Sequence, residues 1–350
     1  MRRIVRLEAL FITVFVFLLP ANTEAQSGWR TLKHGEASIT SVRFTPDGKS
    51  LVSASFNGTV VLWNLETGKQ VWRHDFDAGG RGANYTISHV LAMELSPDGG
   101  TIAASYTHSY VVNSRLRKGD DDRIALLDTK DGREIRRLVG STARALRIAF
   151  SSDGRLLASG GPDGVTRLWE VSTGQQVRAI ESPRGISALS FAPDGKLLAV
   201  GQASPNSMEL IGAGELLLFN VDSGELVRKL RVASSYVIDA AFSHDGGLLA
   251  VAGLMPAEVT LLDPRTWQPV KSLKNAQINT HKISFSPNGR LLASGESWEG
   301  NGRIFVWDTE TKEKPRSYTL ESGVTTISFS PDGTILVAGT EDGEVMLVRL

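Results

Sequence analysis

The chain contains no cysteine, which excludes disulfide cross-links, thiolate metal sites and thiol nucleophiles together. It also lacks a net charge, with 38 Lys+Arg against 38 Asp+Glu over 350 residues. A general nucleic-acid binder shows a basic excess, so that class is excluded. Missing too are a Gly-x-Ser-x-Gly elbow, a Gly-rich phosphate loop ending in Lys-Ser/Thr and a His-Glu-x-x-His pair. The nearest string, Gly295-Glu296-Ser297-Trp298-Glu299-Gly300, has the wrong spacing for a nucleophile elbow. What is present is an ordinary globular composition, 41% hydrophobic and 22% charged. Glycine stands out at 35 residues and points to many tight turns.

The first segment reads apart from the rest. Arg2, Arg3 and Arg6 give a basic start, and an apolar run extends from Ala9 to Ala21. At ~1.5 Å per helical residue such a run reaches only ~20 Å, short of a ~30 Å hydrocarbon core. Thr23-Glu24-Ala25 then offers a small-residue cleavage site. Residues 1–25 are therefore expected to be a signal peptide, the protein to be exported to the periplasm or outside, and no membrane insertion to remain after cleavage. An uncleaved anchor is the alternative. No cysteine follows the run, so a lipid-anchored form is excluded.

Residues 26–350 repeat themselves. An apolar or aromatic residue followed by a Pro-Asp-Gly-type turn occurs at Phe44, Leu95, Phe150, Phe191, Phe242, Phe285 and Phe329. After each turn comes a short apolar strand, such as LLASGG from Leu156. A second strand then ends at Trp63, Leu127, Trp169, Phe219, Leu262, Trp307 or Val348. Apolar, β-branched strands between turn residues predict an all-β protein, and a recurring unit of forty to fifty-five residues predicts a repeat architecture.

The pattern FSPDGxxLASGxxDGxVxLWDxxTG resembles the WD-repeat family across the whole of residues 26–350. The unit from Phe150 to Val177 fits it best, with Ser159, Asp163 and Trp169 in the family positions. The resemblance implies a seven-bladed β-propeller of four-stranded antiparallel blades. The last repeat stops at Leu350 in its third strand, whereas Trp29 to His34 falls in register with the outer strands of other blades. That segment is expected to complete the last blade and close the ring. The repeats are degenerate. A His before the first strand, usual in the family, has a counterpart only in His34, which is one residue off, and Asn57 replaces the turn Asp of blade 1.

Length variation points to one face. The spacing from the turn-motif residue to the Trp position is 19 in blades 1, 3 and 7, but 32 in blade 2, 28 in blade 4 and 22 in blade 6. A further insert follows blade 1, between Phe76 and His89. Both kinds of insert open on the same face of a propeller, and insertions confined to one face of a repeat protein mark its binding surface. Tyr85, Tyr106, His108, Tyr110, Arg115, Arg117 and Trp298 are the candidate partner-binding residues, since Tyr, Trp and Arg dominate binding hot spots.

The reading is a monomeric, non-enzymatic scaffold for a protein or peptide partner, with no cofactor, no metal and no nucleic acid. Two enzyme alternatives stay open, both centred on the channel. Leu62-Trp63-Asn64-Leu65-Glu66-Thr67-Gly68-Lys69-Gln70-Val71-Trp72 is similar to the tryptophan-docking repeat of quinoprotein dehydrogenases, although its trailing Trp is Arg136, Arg178, Arg228 or Lys271 elsewhere. A lactonase-like metal hydrolase would need several inward His and acidic residues. His74, His89 and His108, with Asp120 to Asp122, are the grouping closest to a metal set.

Overall fold

The computed structural model describes residues 29–76, 85–112, 115–118, 123–138, 140, 144–203, 214–233, 236–253, 258–274, 280–311 and 313–350. The expected signal segment lies outside them. Short apolar and β-branched runs make these segments strands, the second and third strand of a blade buried nearly throughout and the inner and outer strands mixing buried and more exposed positions, and the Gly-containing turns fold each strand back on its predecessor. Seven antiparallel sheets result, each running from an innermost to an outer strand. Blade 1 is Ile39–Phe44, Ser50–Ser55, Thr59–Asn64 and Gln70–Asp75, and blades 3 to 6 repeat this order without a crossover. In blade 7 the first strand of the described residues, Trp29–Lys33, pairs antiparallel with Glu344–Arg349, Trp29 opposite Val348 and Lys33 opposite Glu344.

The core lies between blades. Seven apolar clusters each join two neighbours, and the set runs round the ring from blades 1 and 2 to blades 7 and 1. Trp169, buried from solvent, packs with Ile124 and Leu126 of blade 2, whereas Ile39 and Val42 of blade 1 pack with Val337 and Val345 of blade 7. Burying side chains of this size contributes about 1.5–3 kcal/mol each. The glycine ending the second strand sets how close blades approach. A Cβ on Gly339 would stand 2.5 Å from Ile39 Cγ2 of the next blade.

The motif turn is locked the same way in most blades. Ser151 donates its hydroxyl to Asp153 Oδ1 at 2.6 Å and accepts the Leu156 N–H at 2.9 Å. Asp153 Oδ1 also accepts the Arg155 N–H at 3.0 Å. These hydrogen bonds to the ionised form hold the Asp153 carboxyl below its ordinary pKa. Blade 4 has Ala192 where the hydroxyl should be, and keeps only the Asp194 to Lys196 bond, 3.0 Å.

The outer hairpins carry a second recurring device. In blades 1 to 5 the pairing register skips one outer-strand residue, namely Val71, Ile135, Val177, Val227 and Val270. Each skipped residue is more than half exposed. The bulge turns the next side chain along the rim onto the following blade. Arg136 donates to the Thr173 and Ser172 carbonyls of blade 3 at 2.7 and 3.0 Å, and Lys271 donates to the Asp308 carbonyl of blade 6 at 2.9 Å.

Candidate functional site

Blade 1 carries a buried polar chain that begins at Trp63. Its indole N–H donates to Ser53 Oγ at 2.7 Å, and the Ser53 hydroxyl meets His34 Nδ1 at 2.7 Å. On the other side, His34 Nε2 meets Thr59 Oγ1 at 2.5 Å, and Thr59 donates to Asn57 Oδ1 at 2.7 Å. One direction of donation satisfies every member if His34 is neutral with its proton on Nε2. Burial and the nearby Arg73 cation lower the His34 pKa to about 4, with Asp75 opposing them. The sequence offset of His34 is thus absorbed. Thr59 links the imidazole ring to Asn57, the residue at the turn position that Asp163 holds in blade 3. Blade 3 keeps a shorter version, Trp169 to Ser159 at 2.8 Å.

The insert-bearing face differs from a set of loops. The blade 2 insert continues the sheet. Its innermost strand runs Tyr85–Leu95, its second Thr101–Val112, and Arg115–Lys118 pairs back on the second, Ser109 opposite Lys118. A three-stranded ribbon therefore stands beyond the blade. The blade 6 insert likewise extends its hairpin to a two-residue turn, Glu299 and Gly300, both with positive φ. This is the combination that closes tight hairpins.

The candidate residues divide between ribbon and core. Tyr85, Tyr110, Arg115 and Arg117 lie on ribbon strands, and Trp298 sits at the hairpin end opposite Asn301. Tyr106 and His108 face inward instead. Tyr106 is 2% exposed and stacks on Phe76 with centroids 4.2 Å apart, and burial raises its hydroxyl pKa. His108 is also buried, its Nδ1 2.6 Å from Ser88 Oγ. As folded, both fix the base of the ribbon and present no surface to a partner. The side that reaches solvent holds a pair not singled out from sequence. Phe56 is 45% exposed and stacks on His89 at 4.2 Å, and the Phe56 carbonyl meets His89 Nδ1 at 2.6 Å. An aromatic in the turn between second and third strands, where blade 3 has Gly161-Pro162, was the available signal.

A cavity of about 620 Å³ opens on the axis at the opposite, Pro-Asp-Gly face. Phe44, Phe150, Phe191, Phe242, Phe285 and Phe329 stand around it. Among the described residues no three of His, Asp and Glu converge on one point. His74, His89 and His108 are separately engaged, with Phe76, Phe56 and Ser88, whereas Asp120 to Asp122 lie outside the described residues.

Fold and polar chain together define a seven-bladed propeller of WD-type repeats. A family model described as outer membrane protein assembly factor BamB matches residues 21–266, and the chain belongs to the propeller family that this model describes. A second model, eukaryotic translation initiation factor eIF2A, matches residues 204–343. Some curated relatives are named as WD repeat-containing proteins. Protein tipD of Dictyostelium discoideum is 22% identical over 90% of this chain and 41% of its own length. The serine-threonine kinase receptor-associated protein of Gallus gallus is 24% identical over 76% of this chain and 77% of its own. A WD repeat-containing protein WDS homolog of Arabidopsis thaliana is 24% identical over 81% and 49%. The chain thus spans less than half of two of these relatives and three quarters of the third.

Proposed function

We propose that the protein is an exported, non-enzymatic platform that holds a protein or peptide partner on its insert-bearing face. One observation carries the reading: among the described residues only blade 2 extends into a three-stranded ribbon, and the exposed Phe56–His89 stack stands beside its base. A rigid ring that presents one raised, partly aromatic edge suits recognition better than turnover. The Gallus relative is named for its association with a receptor, which supports the same class of role here. Export rests on the sequence pattern of residues 1–25.

The test compares capture from the exported fraction by three proteins. These are the unaltered chain, Phe56→Ser, and a form lacking residues 110–117 with Ser109 joined to Lys118 through Gly-Gly. That cut leaves Tyr106 and His108 in the core. A partner held by the unaltered chain and lost by either variant supports the platform. A partner retained by both removes this face from the reading. No partner, with metal bound to the purified protein, favours a catalytic propeller. Mass spectrometry of the purified protein checks export directly, since a mature chain starting at Gln26 is expected.

A further inference from the structure

Between blades 3 and 4, three side chains bury polar atoms that find no partner in the protein. They are Thr166 Oγ1 and Ser182 Oγ of blade 3 and both amide atoms of Gln202 in blade 4. Thr166 is fully buried and Gln202 is 1% exposed. Strand alternation brings the three together. Thr166, Ser182 and Gln202 stand two residues from Leu168, Ile180 and Val200 respectively, and those three share one apolar cluster across this gap. Ser182 carries the outer strand on by one residue, its N–H donating to the Gly164 carbonyl at 2.8 Å.

The repeat gives the same placement independently. Val60 lies opposite His74 as Thr166 lies opposite Ile180. The Phe76 N–H donates to the Gly58 carbonyl at 2.9 Å, as that of Ser182 does to Gly164. Tyr106 opposes the innermost strand of blade 2 at the place where Gln202 opposes that of blade 4. Val60, Phe76 and Tyr106 form one apolar cluster between blades 1 and 2, its two rings stacked at 4.2 Å. Blades 3 and 4 thus put two hydroxyls and an amide where blades 1 and 2 put an aliphatic chain and a ring pair. At the place of Thr166 the other blades carry Val60, Ile124, Leu216, Val259, Ile304 and Val345, all buried.

A buried donor or acceptor left unpaired costs its full desolvation, so four such atoms in one gap require a shared partner. The three side chains offer donors and acceptors but no charge, which suits a small neutral molecule and not an ion. A Ser and a Gln also fill less space than two stacked rings. We propose that the gap between blades 3 and 4 is an internal water site, with at least one molecule held by Thr166, Ser182 and Gln202. The Gln202 amide donates to it and accepts from it, and the hydroxyls complete the roughly three hydrogen bonds that a buried water makes. The site belongs to the ring itself and is independent of any partner on the ribbon face.

Relaxation dispersion of oxygen-17 in the solvent counts water molecules held inside a protein, and it tests this on the full chain. The comparison is a variant carrying Thr166→Val, Ser182→Phe and Gln202→Tyr, the set already accommodated between blades 1 and 2. Its count should fall by at least one from that of the unaltered protein. Should this variant not fold, nuclear magnetic resonance of the unaltered protein with isotope-labelled glutamine gives a second reading. The Gln202 side-chain amide should show a cross-peak to long-lived water. An unchanged count would overturn the proposal, and so would a Gln202 amide with no cross-peak to water.

Discussion

The indole of Trp72 in blade 1 lies across Gly132 in blade 2 and donates its N–H to the Thr129 carbonyl at 2.9 Å. The same clasp recurs with other side chains. Arg136 covers Gly174, Arg178 covers Gly224 and Arg30 covers Gly68, each donating to carbonyls of the turn it covers. A long side chain ending in N–H groups is what the position requires, so Trp in one blade and Arg in three are interchangeable answers. The tryptophan that makes this stretch similar to a tryptophan-docking repeat thus has a structural role, a contact between neighbouring blades.

Gly132 has φ of 72°, and a Cβ there would stand 2.7 Å from the Trp72 ring. Gly132→Ala should cost about 2 kcal/mol or more, from left-handed strain plus displacement of the indole. Trp72→Ala should cost about 2–3 kcal/mol for a half-buried ring and its hydrogen bond. Because the smaller side chain at 72 makes room for the new methyl, the double variant should lose less than the two single losses added together. Urea denaturation of the four proteins measures this, and strict additivity would show that the two residues do not meet.

Blade 4 offers the converse experiment. Ala192 occupies the site at which Ser151 both donates to a turn carboxylate and accepts a strand N–H. Ala192→Ser should supply both bonds, to Asp194 and from Leu197, and stabilise the protein by about 1 kcal/mol. Ser151→Ala should destabilise by a similar amount. Equal and opposite shifts in denaturation midpoint are expected.

The repeat was legible because its carriers are local. A hydroxyl two residues before an Asp or Asn that is itself followed by Gly closes the same turn wherever it occurs, and a short apolar, β-branched run between such turns identifies a strand whichever blade it joins. The blade 2 ribbon was harder to read. The insert from Ser105 to Arg123 mixes apolar and basic residues with no regular alternation, yet its first half extends a strand already formed. Tyr106 and His108 read as exposed because insert position was taken for surface position, whereas extension of the sheet turned both toward Phe76 and Ser88.

His34 predicts a pH dependence. Its pKa is lowered from 6.5 to about 4 in the folded protein, because the charged form is disfavoured by burial and by Arg73. Between those values the unfolded chain takes up a proton that the folded chain refuses, so stability falls as pH drops from 6.5 to about 4 and levels off below. The full loss is roughly 3 kcal/mol. Burial lowers His74 as well, so other slope exists in the same window. The difference between the unaltered protein and His34→Gln isolates the His34 share. The variant should be weaker at pH 7 and fall less steeply toward pH 4, and parallel curves would show that His34 is not held neutral.

The strand Trp29–Lys33 makes the last prediction. It pairs along its full length with Glu344–Arg349, and Leu32 enters the cluster shared by blades 7 and 1. Arg30 reaches onward to the Leu65 and Glu66 carbonyls of blade 1, and His34 anchors the blade 1 polar chain. Removing residues 26–36 would therefore expose the edge of Glu344–Arg349, an apolar strand with unpaired N–H and C=O groups, and strip two contacts from blade 1. Such an edge is a template for association. The shortened protein should aggregate or melt far lower. Leu32→Asp, which keeps the strand but places a charge in the cluster, should cost several kcal/mol without the same association. Light scattering and melting curves separate the two effects, because edge exposure acts through association and core charge through stability. An unchanged melting curve for the shortened protein would mean that the ring holds without this strand.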